Sequence, residues 1–167
     1  MGLSIQLRSS AATDVPAITD IYAHHVLHGT ASFEIDPPDA AEMARRRLDI
    51  FNRGLPYLVA EDGDRIVGYA YAGLYRPRPA YRFTLEDSVY VHREHRGHGV
   101  GASLLEALIP ACREWGCRQL IAVIGDSENT ASIRLHEKMG FKNAGVLRAV
   151  GFKFDRWIDS VLMQLSL

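Results

Sequence analysis

The chain has 167 residues, 47% of them hydrophobic, and a formal net charge of −1. Such a length and apolar content suit one domain, residues 1–167, with a substantial core. The near-neutral balance exerts no general pull toward nucleic acid or an acidic membrane. No secretory succession opens the chain, and no apolar run reaches the length of a membrane span. The two cysteines, Cys112 and Cys117, match neither a zinc spacing nor a Cys-x-x-Cys redox pair. They read as reduced core thiols, and a cytoplasmic protein is expected.

The elements alternate without an internal repeat. Ile5–Arg8 reads as a first strand, and Thr13 as the cap of a helix with Pro16 in its first turn and Ile18, Ile21, Tyr22 and Val26 on one side. A loop, Gly29–Pro38, leads to a charged helix from Asp39 to Asn52, stopped near Gly54. Tyr57–Ala60 and Arg65–Tyr75 flank Asp62-Gly63, a hairpin turn signal. Tyr81–Val91 reads as a third central strand. A glycine-rich turn and a long helix follow, and Pro110 within that helix is expected to kink or end it. Leu120–Ile124 is a short apolar strand, Asn129–Met139 a helix ending at Gly140, and Phe141–Leu147 and Trp157–Leu165 the last strands. Consecutive antiparallel strands followed by β-α-β-α-β define an α/β fold with a mixed sheet covered by helices.

The run Arg96-Gly97-His98-Gly99-Val100-Gly101 lies between the strand Ser88-Val89-Tyr90-Val91 and a helix carrying Ala102, Leu104, Leu105, Leu108 and Ile109. A glycine turn at this junction gathers backbone N–H groups at the positive end of a helix, where a phosphate fits. Glycine permits both positive φ and close approach of the ligand.

That segment resembles the acetyl-CoA loop of the GNAT superfamily of N-acetyltransferases, Arg/Gln-x-x-Gly-x-Gly/Ala. Asn129 to Phe141, N-T-A-S-I-R-L-H-E-K-M-G-F, is similar to the superfamily's second cofactor segment. Thr30–Glu34, Glu86–Val91, Ala122–Gly125 and Arg134–Phe141 are similar to the phosphinothricin N-acetyltransferase group, which includes enzymes acting on methionine sulfoximine and sulfone. The resemblance spans Ile5 to Leu165. It implies a GNAT fold, with a mostly antiparallel mixed sheet of six to seven strands flanked by about four helices. It also implies acetyl-CoA as cosubstrate, no metal, a small-molecule amine substrate, no nucleic-acid or membrane partner, and a homodimer.

Acetyl transfer from a thioester to an amine needs a held cosubstrate, a free amine, a polarised carbonyl and a proton for the leaving sulfur. The amides of Arg96, Gly97, His98, Gly99, Val100 and Gly101 would hold the pyrophosphate, with Arg96 as a charge partner. The resemblance places the pantetheine arm beside Val89, Tyr90 and Val91, whose N–H would face the thioester carbonyl. Asn129, Ser132 and His136 share one helical face; the family sets Asn129 along the pantetheine and the residue at 136 near the sulfur. An imidazole there can supply a proton near neutral pH; a structurally bonded histidine is the alternative. Glu86 aligns with the group's base, and a carboxylate can take the amine proton if burial raises its pKa. Asp87 is expected to face away, because adjacent strand residues alternate.

Substrate selection is assigned to Phe33 and Glu34, in the loop that the resemblance implies closes over the substrate, and to Arg76, Arg78 and Tyr81, suited to a small anion. A plain surface loop is the alternative for the last three. His24 and His28 read as a helix face without metal. His92, His95 and His98 are expected to face solvent or phosphate, Arg45, Arg46 and Arg47 to form with Glu42 and Asp49 a solvated, salt-bridged face, and Trp115 to join the core. In the loop Gly151–Trp157, Asp155 stands where the family often has glycine, so a positive φ there carries a cost; Lys153 could reach a phosphate or a dimer partner. Together these residues describe direct acetylation of a small amino acid or its analogue. Two alternatives stand beside it: acetylation of a protein N-terminus or polyamine, and a non-catalytic acyl-CoA sensor.

Overall fold

The alternation resolves into four helices and seven strands, described for residues 4–167 by a computed structural model. The strands are β1 (Ile5–Ser9), β2 (Tyr57–Asp62), β3 (Arg65–Leu74), β4 (Thr84–Val91), β5 (Gln119–Gly125), β6 (Lys142–Lys153) and β7 (Arg156–Ser166). They form one sheet in the order β1-β2-β3-β4-β5-β7-β6. Every neighbouring pair is antiparallel except β4 and β5, which run parallel.

The helices α1 (Val15–His28) and α2 (Ala40–Asn52) cover one face, and α3 (Val100–Trp115) and α4 (Thr130–Lys138) the other. Strand alternation creates two cores. Tyr57, Val59 and Tyr69 meet Ile18, Ile21, Tyr22, Val26 and Met43 on the first face. Val67, Ala70, Leu85, Leu120 and Ala122 meet Leu104, Leu105 and Leu108 of α3 on the second. Each of these leucines is fully buried, so truncating one to alanine costs about 2–5 kcal/mol. Gly68 lets α3 sit directly on β3: a Cβ there would lie 3.0 Å from Val100 Cγ1 and 3.1 Å from Leu104 Cδ1.

Several local expectations are corrected. Asp14, not Thr13, occupies the N-cap position of α1, after a single 3₁₀ turn at Ala12–Asp14. Its carboxylate accepts from the Ala11 N–H at 2.7 Å and is clamped by Arg8 at 2.8 Å. The third central strand begins at Thr84 rather than Tyr81, because Pro79–Tyr81 forms another 3₁₀ turn. Pro110 does not end α3, which continues to Trp115; buried Leu108 and Cys112 hold the turns around it against the sheet. β6 is longer than the sequence suggests and carries two irregularities against β7, at Asn143/Gly145 and Leu147/Gly151. The β6–β7 turn does require positive φ, 53° at Phe154 and 55° at Asp155. Trp115 is half-buried against the second core and donates to the Arg53 carbonyl at 3.0 Å.

Candidate active site

The parallel pairing of β4 and β5 extends only from Thr84/Gln119 to Asp87/Ala122. Beyond it the strands separate, and a cavity of about 340 Å³ opens between their C-terminal halves, walled by Ser88, Val89 and Tyr90 on one side and Val123, Ile124 and Gly125 on the other. The β3–β4 ladder fixes which amides face this gap. His92 N–H donates to the Val67 carbonyl and Tyr75 N–H to that of Thr84, so even-numbered β4 amides point at β3. The N–H groups of Val89 and Val91 therefore point toward the separated β5. His25, on α1, donates from Nε2 to the Val91 carbonyl at 2.9 Å; burial lowers its pKa to about 4 and keeps the ring neutral.

Because the gap passes through the sheet, both faces of β4 reach the cavity. Glu86 borders it from the α1/α2 side and Asp87 from the α3/α4 side. This corrects the expectation that only one of them could. The two side chains do alternate, but the opening between the strands is accessible to each. Burial, then the neighbouring Asp87 charge, push the Glu86 carboxyl up to about 7 against the pull of Arg76.

His136 lies on α4, two turns from its N-cap Asn129, whose side chain accepts from the Ser132 N–H at 3.3 Å. The imidazole borders the cavity but is only 3% exposed. Nδ1 donates to the Ser132 carbonyl at 2.7 Å, and Nε2 to Asp87 Oδ2 at 2.9 Å. Burial opposes charge on this ring, but the Asp87 bond outweighs it and raises the pKa. Both ring nitrogens thus face acceptors in the wall, the arrangement that a doubly protonated ring satisfies.

The loop before α2 closes one end of the cavity. Phe33 lies over Gly125 and Gly151, where added Cβ atoms would come within 2.8 Å and 2.6 Å of its ring. Thr30 bonds Asp126 at 3.3 Å, and Tyr22 bonds Ser32 at 2.9 Å. Lys153, expected to reach a phosphate or partner, is instead buried and donates to the Ser32 carbonyl at 2.8 Å; burial lowers its pKa. Glu34 is not part of the cavity wall. Its carboxylate is held by Arg46 at 2.7 and 3.0 Å and by the Tyr22 hydroxyl. Arg46 is therefore not part of a purely solvated face, and Arg47 likewise turns inward to Ser10 at 2.8 Å.

At the other end, the turn after β4 carries Gly97 at φ 74° and Gly99 at φ 84°. No side chain caps α3, so the first-turn amides around Val100 and Gly101 are available to an anion. Arg96 and His98 are exposed beside them, whereas His92, expected to face outward, is buried and bonded by Arg65 at 3.0 Å. An anionic, elongated cosubstrate fits this combination of uncapped amides and open strand gap.

Of the residues assigned from sequence, Phe33, Glu86, Val89, Tyr90, Asn129, Ser132 and His136 meet at the cavity. Val91 and the Arg96–Gly101 turn are not among its walls; Val91 ends β4 and the turn follows it in the chain. Arg76, Arg78 and Tyr81 stand outside its walls on the exposed β3–β4 connection, where Arg76 rests on the Tyr75 ring at 5.1 Å. Asp87 and Tyr71 were missed as wall residues; no sequence spacing links Asp87 to His136. Among the described residues no group of side chains could hold a metal ion, and no helix is long and apolar enough to cross a membrane.

A mixed sheet whose two parallel strands part around a cavity, with a glycine turn opening a helix beside them, defines an acyltransferase of the GNAT type. The family model "Acetyltransferase (GNAT) family" matches residues 18–141. The chain is 61% identical to a phosphinothricin N-acetyltransferase of Alcaligenes faecalis, over 92% of this chain and 78% of the relative. It is 41% identical to an L-methionine sulfoximine/L-methionine sulfone acetyltransferase of Salmonella typhimurium, over 96% and 94%. The crystal structure of a GNAT superfamily phosphinothricin acetyltransferase from Sinorhizobium meliloti in complex with acetyl-CoA superposes with a TM-score of 0.95 at 44% identity, covering 99% of this chain and 89% of that one. The chain belongs to the GNAT acetyltransferase family.

Proposed function

We propose that the protein transfers an acetyl group from acetyl-CoA to the amino group of a small anionic amino acid analogue, of the phosphinothricin or methionine sulfoximine/sulfone type. The observation that carries this reading is the cavity between β4 and β5, with the Glu86 carboxyl, pushed up to about 7 by burial, on one face and the buried His136–Asp87 pair on the other. The relatives named for these substrates support the acceptor class.

Direct attack in a ternary complex follows from this layout. Ionised Glu86 takes the proton of the substrate ammonium, directly or through one water. The free amine attacks the thioester carbonyl, whose oxygen gains negative charge toward the Val91 N–H. The amides of Gly97 to Gly101, with Arg96, would hold the pyrophosphate, and Asn129 and Ser132 the pantetheine arm. The sulfur leaves on the α4 side, which presents Ser132 and His136. Phe33 forms the apolar wall, and Arg76, Arg78 and Tyr81 supply the anion contact from the rim. Glu34 supports the loop through Arg46.

A homodimer is part of the same reading. Leu147, Val150, Phe152, Phe154 and Trp157 on the β6–β7 hairpin are all at least half exposed, Trp157 by 67%, and the Phe152 and Trp157 rings lie together at 5.0 Å, exposed apolar side chains that a second copy would cover. The two free thiols suit a cytoplasmic setting.

The test is thiol release from acetyl-CoA with phosphinothricin, methionine sulfoximine, methionine sulfone, amino acids, polyamines and peptides. Turnover on the anionic amino acids, lost in Arg78→Ala, is expected. Turnover confined to peptides or polyamines would overturn the acceptor class.

A further inference from the structure

Both nitrogens of His136 are engaged inside the wall, so the ring cannot itself meet a sulfur in the cavity. Ser132 can: it is half-buried, borders the cavity, and sits one helical turn before His136. Its Oγ lies 3.5 Å from His136 Nδ1, the same nitrogen that donates to the Ser132 carbonyl at 2.7 Å. Behind the ring, Asp87 Oδ2 accepts from Nε2 at 2.9 Å, and Asp87 Oδ1 finds no partner among the described residues. Ser132, His136 and Asp87 thus form a continuous line from the cavity into the second core. We infer that Ser132 is the catalytic acid that protonates the leaving thiolate, with His136 and Asp87 as the positioning residues that resupply its proton. The inference rests on the acetyl-transfer reading above and deepens it.

The protons balance. The Ser132 Oγ–H passes its proton to the departing sulfur, giving the thiol. The Nδ1 proton of His136 moves to Oγ, restoring the hydroxyl and leaving a neutral ring that still donates from Nε2 to Asp87. A solvent proton recharges the imidazole; the ammonium loses two protons in becoming an amide, the first to Glu86 before attack and the second from the tetrahedral adduct, and both return to solvent, so that one proton is released per turnover. The groups facing the relay from each packed element are few. From β4 comes the Asp87 carboxylate, and the Phe141 ring lies edge-on to His136 at 5.0 Å. On α3, Cys112 feels the Asp87 charge, and its thiol, pushed up to about 12 mainly by burial, remains neutral. A recharged imidazole therefore depends on Asp87.

The test measures kcat, KM for acetyl-CoA and their pH dependence in wild type, Ser132→Ala, Ser132→Thr and Asp87→Asn. Ser132→Ala should lower kcat by about a hundredfold, the low end for a general acid, beyond any rise in KM from the lost pantetheine contact, and abolish the alkaline limb of kcat. Ser132→Thr keeps a hydroxyl and should restore both rate and limb. Asp87→Asn should move the alkaline limb to lower pH. Wild-type kcat and limb in Ser132→Ala, or a raised KM with the limb intact, would overturn the relay. Amine-independent release of thiol from acetyl-CoA by water carries the same requirement for Ser132. Absence of amine-stimulated turnover with that requirement intact would therefore refute the acceptor reading alone, and its loss would refute the relay.

Discussion

Replacing Glu86 by glutamine should separate catalysis from stability in one variant. The carboxyl moves from its ordinary 4.5 to about 7 because burial and Asp87 disfavour the charged form. A folded-state pKa raised above the unfolded value gives stability that is complete below about pH 4.5 and lost as pH rises through about 7. At about 1.4 kcal/mol per pH unit, ionised Glu86 destabilises the native state by up to roughly 3 kcal/mol, less where solvent enters the cavity. Glutamine keeps the shape without the charge. Glu86→Gln should therefore match wild type near pH 4 and exceed it by about 2–3 kcal/mol near pH 8. Urea unfolding followed by tryptophan fluorescence across this range reads the difference. The same variant should lose about 10²–10⁴ in turnover, together with the acid limb of kcat/KM near pH 7. A stability difference independent of pH would refute the burial argument, and turnover surviving with its normal pH dependence would refute the base assignment.

Three further outcomes are expected. Gly125→Ala would put a Cβ 2.0 Å from the Thr30 carbonyl oxygen and 2.8 Å from Phe33, displacing the loop before α2. The amine KM should rise while acetyl-CoA affinity, measured by calorimetry, is kept. Lys153→Met removes the donor to the buried Ser32 carbonyl and should cost about 1–3 kcal/mol in chemical denaturation; an unchanged midpoint would show that water takes the place of Nζ. Asp155→Gly relieves a φ of 55° and should stabilise the protein by up to about 1 kcal/mol, read as a raised melting temperature.

Most elements and the cosubstrate turn were legible because their signals are local. Apolar spacing marked α3, the charged run from Asp39 to Asn52 marked α2, and Gly97 and Gly99 marked a turn suited to binding through its backbone. Where local rules failed, tertiary packing prevailed: Pro110 sits inside a helix clamped by Leu108 and Cys112, and Arg46 leaves a charged stripe for Glu34. Lys153 looked like an outward cation, yet the loop it anchors lies 121 residues earlier in the chain.

By itself, then, the sequence determined the family, the order of strands and helices, and the place where an anion meets an open helix end. Those features depend on backbone conformation and on residues close in the chain. Only the tertiary structure decided that β4 and β5 part after Asp87 and Ala122, so that both faces of β4 reach one cavity. It alone placed Asp87 against His136 and so buried the ring, with both nitrogens on acceptors, behind Ser132. A side chain's charge and partner follow from what surrounds it in space, and residues 49 apart in sequence carry no local sign that they will share a wall.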